Sequence, residues 1–183
     1  MNKTALSITL LVGTGMAFAQ PKDAPKKDAP KEAPPAMAKP TPAKELEVTK
    51  DWTKNWTCTA TNDAGEKVNG KLTIKKELEG FWMAMRFETQ KTKTQPAFTG
   101  MAMFGVDPVS KGWVMTGYDN GGGWINMKGK EATATSMVWE GEAGNGPSGK
   151  KATAKFTMSN GDKKALKFVG EFNGKKGFEH DCK

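Results

Sequence analysis

The side chains that most often carry catalysis and nucleic-acid recognition are scarce in this sequence. Its 183 residues include one histidine, His180, one arginine, Arg86, and one tyrosine, Tyr118. A single histidine excludes a metal site built from several imidazoles. A single arginine disfavours nucleic-acid binding, because arginine is the preferred side chain for reading bases and gripping phosphate. The net charge of +8 comes from scattered lysines, which supports only loose attraction to anionic surfaces.

The sequence also lacks a long apolar segment. Its apolar run at residues 5–12 falls short of the ~20 residues that a membrane-spanning helix needs. Lys3 precedes this run and Ala17-Phe18-Ala19 follows it, which is typical of a secretory signal with an A-x-A cleavage site. We therefore predict a signal peptide over residues 1–19 and a periplasmic or secreted protein without a transmembrane segment in the mature chain.

The next segment, residues 20–43, holds seven of the ten prolines, interleaved with lysine, alanine and acidic residues. Proline lacks a backbone donor and charged side chains resist burial, so this composition predicts a disordered tether. Residues 44–183 contain all six tryptophans and are predicted to form a single domain.

Within this domain, short β-prone runs alternate with turn sequences such as Asp119-Asn120-Gly121 and Asn173-Gly174. Asn-Gly pairs favour tight hairpins because both residues tolerate a positive φ. At most a short helix is expected near residues 45–52. The predicted strands cover residues 56–61, 67–77, 81–89, 97–106, 112–118, 123–128, 132–140, 151–158, 165–172 and 177–182. This pattern predicts an all-β fold, a closed antiparallel up-and-down barrel of about ten strands, since closure removes exposed strand edges.

Large apolar side chains alternate with other residues along several of these strands. Because successive side chains in a strand point to opposite faces, one parity should face the barrel interior. The side chains predicted to line that interior are Phe81, Met83, Met85, Phe87, Trp113, Met115, Trp139 and Phe168.

The two cysteines, Cys58 and Cys182, lie in the first and last predicted strands. Two thiols in an exported protein usually pair. In a closed meander the first strand lies antiparallel to the last, so we predict a Cys58–Cys182 disulfide.

Several short motifs resemble a family of bacterial exported lipocalin-like domains of unknown function. They are Trp56-Thr57-Cys58, the segment from Phe98 to Pro108, Trp113, and Tyr118-Asp119-Asn120. The resemblance covers roughly residues 45–183, and the family looks like a relative of the calycins, closed barrels that hold small hydrophobic ligands. It implies a barrel with a cavity, and no enzymatic activity.

We therefore expect a non-enzymatic, monomeric protein, without a resident cofactor, that binds a small hydrophobic ligand inside the barrel. One alternative is an envelope structural or interaction module with a solid barrel. A further alternative is metal binding. His180 could ligate haem, a hypothesis suggested by similarity to haem-binding barrels of the nitrobindin type. The pairs Met83/Met85 and Met101/Met103 could bind Cu(I), which favours thioether ligands.

Overall fold

The computed structural model describes residues 38–161 and 164–183. The predicted signal peptide and residues 20–37 of the predicted tether lie outside the described residues. Residues 39–183 form one compact unit.

This unit is built almost entirely of β-strands. Two short 3-10 helices, Lys44–Thr49 and Leu78–Gly80, accompany them. The strands within the described residues are β1 Asn55–Thr61, β2 Lys67–Glu77, β3 Trp82–Thr89, β4 Phe98–Val106, β5 Trp113–Asp119, β6 Trp124–Ala132, β7 Ser136–Gly144, β8 Lys151–Ser159, β9 Leu166–Phe172 and β10 Lys175–Cys182.

Each strand pairs antiparallel with the strand that follows it in the chain, and β10 pairs with β1. The sheet therefore closes into a ten-stranded up-and-down barrel, as the sequence predicted. Closure leaves no free edge strand on which another chain could add.

The alternation of side chains explains why these segments form strands around one core. In β3, Met83, Met85 and Phe87 are buried while Arg86 is exposed. The same period of two recurs in β8 and β9. One face of the sheet therefore packs inside the barrel and the other faces solvent.

The boundary between β6 and β7 is where the sequence prediction was wrong. Residue 132 was expected to begin a strand, but β6 runs to Ala132 and β7 begins at Ser136. The turn between them is held by Thr133, whose Oγ1 accepts hydrogen bonds from the backbone N–H groups of Thr135 and Ser136. A hydroxyl turn of this kind carries a weaker sequence signal than an Asn-Gly pair.

One end of the barrel is closed by the N-terminal 3-10 helix and the residues after it. Leu46, Thr49 and Trp52 are buried. The Thr49 hydroxyl donates to the Leu46 carbonyl at 2.6 Å, and Trp56 Nε1 donates to the Trp52 carbonyl at 3.2 Å. Because this plug meets the end at which β1 begins, it seals that end with apolar surface.

The seam between β1 and β10 is the shortest ladder in the barrel. Only Cys58↔Cys182 and Thr59↔Asp181 are in register as pairs, and Thr57 and Lys183 exchange backbone hydrogen bonds of 2.7 and 2.8 Å beside them. The neighbouring β1–β2 ladder, by contrast, pairs the whole of β1, from Asn55 to Thr61. The Cys58–Cys182 disulfide, with an S–S distance of 2.02 Å, crosses this seam, so the predicted disulfide is confirmed and lies where hydrogen bonding is thinnest.

We expect the double substitution Cys58→Ala/Cys182→Ala to lower the free energy of unfolding by about 4–5 kcal/mol, the loop-closure value for so long a loop. Equilibrium denaturation with urea would measure it. Hydrogen exchange should accelerate more in β1 and β10 than in β7 and β8, because the seam loses its covalent link. A loss under about 1 kcal/mol, or uniform acceleration, would show that closure does not depend on the disulfide.

Candidate functional site

Seven of the eight side chains predicted to line a cavity belong to the barrel core or pack against it, and Phe81 does not. Phe81 precedes β3 and is partly exposed, and Trp113, at the start of β5, is partly exposed but packs against the core. The remaining six are at most 8% exposed: Met83, Met85, Phe87, Met115, Trp139 and Phe168.

Aromatic rings in the interior pack against one another rather than around an open space. Trp139 lies edge-on to Phe104 at 5.6 Å and to Trp113 at 6.0 Å between ring centroids. Phe168 lies edge-on to Phe87 and to Phe156, each at 5.8 Å. These are the separations and angles of favourable ring pairs, so large side chains contact one another where the sequence predicted a ligand.

Two depressions are found on the surface of the described residues, and neither opens into the interior. One, of about 610 Å³, lies between the N-terminal 3-10 helix and the β2–β3 turn. The other, of about 310 Å³, lies on the outer wall, and its lining is Leu78, Trp82, Met103, Val114 and Thr116.

His180 is buried in the wall, with 5% of its surface exposed. The Phe87 ring lies 4.7 Å from the imidazole centroid and the Phe178 ring 5.7 Å. No hydrogen-bond partner among the described residues reaches Nδ1. Burial lowers the pKa of His180 below its usual 6.5, and the nearby Asp181 carboxylate partly opposes this effect.

The two Met-x-Met pairs of the copper hypothesis lie on opposite faces of the sheet. Met83 and Met85 are buried inside the barrel. Met101, 55% exposed, and Met103 belong to the outward parity of β4, since Ala102 and Phe104 are buried. The two pairs therefore do not converge on one ion, because the wall of the barrel separates them.

The outer surface has two distinct parts. Over β6–β10, outward residues in one cross-strand row alternate in charge, and we call them the charged belt. Its members are Lys128, Glu140, Lys155, Glu171 and Lys176.

Over β3–β5 six of the outward residues are Trp, Ala, Met, Val or Tyr, and we call these six the apolar wall. Tyr118 is 64% exposed beside Met101, its pair across the β4–β5 ladder. Trp82 lies flat on Gly105, where an added Cβ would come within 2.8 Å of the indole ring. The members of the apolar wall are Trp82, Ala84, Met101, Met103, Val114 and Tyr118.

The turn between β2 and β3 extends this surface at one end of the barrel. Leu78, Glu79 and Gly80 have φ values of 48°, 58° and 89°. A left-handed backbone is unfavourable for a leucine, and here it holds a side chain that is 64% exposed and lines both depressions. Backbone strain that holds an apolar side chain in solvent is a reason to look for a function of Leu78.

The apolar wall was not predicted from the sequence. Met101 and Met103 were interpreted as core side chains or, alternatively, as Cu(I) ligands, and no surface role was predicted for Trp82 or Tyr118. A signal was present, because Trp82 and Ala84 share the opposite parity to the inward Met83 and Met85. The registers of the ladders decide which outward residues of different strands lie side by side, and these registers cannot be derived from the sequence alone.

Comparisons with known proteins do not place this chain in a family. No protein-family model and no curated protein matches this chain. Among solved structures, a redesigned β-barrel matches at 10% identity and a TM-score of 0.41, covering 76% of this chain and 93% of the other. In the described part of the chain, no helix is long and apolar enough to cross a bilayer, and no three His, Cys, Asp or Glu residues are grouped as metal ligands.

We expect stability to fall as the pH drops from 7.5 to 5.5. The unfolded chain takes up a proton at His180 near pH 6.5, whereas the native state resists it because its pKa is lowered. The free energy of unfolding then decreases by at most about 1.4 kcal/mol per pH unit below 6.5.

Urea denaturation at several pH values would measure this slope, with His180→Phe as the matched variant. The slope should flatten in that variant, whose ring still packs against Phe87. Glu66 and Glu179, with pKa values lowered to about 2, affect stability mainly below their usual value of 4.5 and so outside this range. An equal slope in both proteins would contradict the assignment to His180.

Proposed function

We propose that this protein is an exported, non-enzymatic interaction module whose solid barrel presents the apolar wall to another protein. The observation that carries this proposal is the change in the outward side chains, from charged over β6–β10 to largely apolar over β3–β5. In the row that contains Lys128, the alternating charges of β6–β10 give way to Val114, Gly105 and Trp82. The two rows beside it carry Met103, Met101 and the exposed Tyr118 over β4 and β5. A contiguous apolar surface on a barrel with a complete core is typical of a binding site.

The packed interior supports this choice over a hydrophobic ligand inside the barrel. Barrels of this size are either filled by side chains or hold one small ligand, and here the inward rings contact one another. A ligand would have to displace close-packed side chains, which costs several kcal/mol for a large aromatic group. The same packing disfavours haem at His180, because Phe87 and Phe178 already lie against the imidazole.

The composition of the apolar wall suits a protein partner. Tyrosine, tryptophan and methionine are enriched at the buried centres of protein interfaces, and lysine and glutamate are depleted there. Methionine adapts its shape to a partner. Arg86 borders Met101 across the β3–β4 ladder and contacts Glu88 at 2.9 Å. An apolar centre with a charged rim is the usual anatomy of such a surface.

Export is supported by the disulfide, since such bonds persist in oxidising compartments. The predicted cleavage site after Ala19 fits the same destination. We expect the protein recovered outside the cytoplasm to begin at Gln20, as intact-mass measurement would show. A chain that keeps residues 1–19, or that stays in the cytoplasm with two free thiols, would contradict export.

We expect a benzophenone side chain placed at position 118 in living cells to form protein adducts on irradiation. Tyr118 lies at the exposed centre of the apolar wall, so a bound partner would be within reach of the probe. The additional substitution Met101→Glu should reduce the adduct yield by roughly tenfold. A charge at the interface centre costs ~1.4 kcal/mol or more of binding free energy, which corresponds to that factor.

The matched control places the same probe at Thr157, an outward residue of β8 with intermediate exposure. Adducts at position 118 but not at 157 would support the proposal. Equal adducts at both positions, or adducts unaffected by Met101→Glu, would reject the apolar wall as the binding surface.

A further inference from the structure

Three outward cross-strand rows over β2–β6 cross β4, and the first of them has an apolar centre with flanks of opposite charge. The first row runs from an acid on β2 to a base on β6, and its members in order are Glu77, Trp82, Gly105, Val114 and Lys128. The middle of this row is Gly105, on β4. Glu77 and Lys128 therefore stand two strands away from β4 on opposite sides.

Such a row is complementary to itself under a two-fold rotation. When two copies face each other across an axis parallel to β4, each residue faces the residue at the same distance on the other side of β4 in the second copy. Glu77 then faces Lys128 of the second copy, and Trp82 faces its Val114. Each pair occurs twice, as in any isologous interface.

The other two rows agree with the same axis. In one, Arg86 on β3 and Tyr118 on β5 flank Met101, so a guanidinium would face a phenol ring, a favourable cation–π arrangement. In the row between, Met103 lies on β4 and would face its own counterpart. Met101 and Met103 would then form the apolar centre of the contact.

The perpendicular axis, which runs across the strands through Met103, is disfavoured. It would place Lys75 against Lys75 of the second copy, because each strand would face itself. It would also leave Glu77 facing Thr73, without its charge complement. Like charges across an interface are costly, and charge complementarity selects one register among several with similar apolar contact.

We propose that a second copy of this chain covers the apolar wall, in a two-fold dimer whose axis runs along β4 at Met103. This proposal rests on the proposed function and names the partner. The barrel is convex, so direct apolar contact is confined to β3–β5, and the long side chains of Glu77 and Lys128 span the wider gap at the rim. Glu77 also contacts Lys75 of its own strand at 2.5 Å, an exposed pair of the kind that adds little to stability.

Sedimentation velocity of the purified exported protein over a range of concentrations tests the dimer and its axis. Glu77→Lys places two like-charged pairs in the interface, and Lys128→Glu does the same with the opposite sign. Each variant alone should dimerise about five- to tenfold more weakly than the wild type. An equimolar mixture of the two should restore dimers to within about twofold, because both cross-copy pairs become attractive again.

Cysteine cross-linking tests the centre of the same interface. Met103→Cys should give disulfide-linked dimers on mild oxidation, because this residue lies next to its own counterpart on the axis. The native cysteines do not compete, since both are held in the buried Cys58–Cys182 bond. Thr157→Cys, with similar exposure on the opposite side of the barrel, should give no disulfide-linked dimers and serves as the control.

Dimers that weaken in both single-charge variants and recover in their mixture establish the proposal. Monomers at every concentration overturn it, and so does equal disulfide cross-linking of the Thr157→Cys and Met103→Cys variants. In that case, adducts to a different protein at position 118 in cells would leave the proposed function standing. If position 118 forms no adducts either, the proposed function fails as well.

Discussion

Covalent closure of the barrel at its weakest seam is the constraint on which the rest of the structure depends. Between β1 and β10 only two residue pairs are in register, yet this ladder joins the two ends of the domain. The Cys58–Cys182 bond fixes residues 124 positions apart in the chain. With the seam held, every strand has two neighbours, and the inward face of each can be buried without a free edge.

Closure in turn decides how the two faces of the sheet are used. Inside, rings from several strands pack edge to face, and Trp52 lies buried at one end. Because the core is complete without outward side chains, exposed residues such as Met101 and Tyr118 are not required for folding. Their position on one side of the barrel, opposite the alternating charges of β8 and β9, is the observation on which the proposed binding role rests.

Much of the architecture could be read from the sequence, because strand signals and turn chemistry are local. The limits of β2 were predicted to the residue, and those of β8 and β9 to within one. The largest difference was at the β6–β7 turn, which is held by the hydroxyl of Thr133. The inward parity of Met83, Met85 and Phe87 followed from alternation alone. Whether those side chains enclose a space or fill it could not be predicted, since that depends on how rings from distant strands meet.

By itself, then, the sequence determined the all-β class, the approximate strands and the pairing of the two cysteines, because each of these follows from short-range pattern and composition. Only the tertiary structure decided that the interior is filled and that Trp82, Met103 and Val114 share one depression on the outer wall. The reason is geometric. Alternation fixes the face on which a side chain lies, but the register between strands fixes its neighbours, and that register is set by closure of the whole barrel.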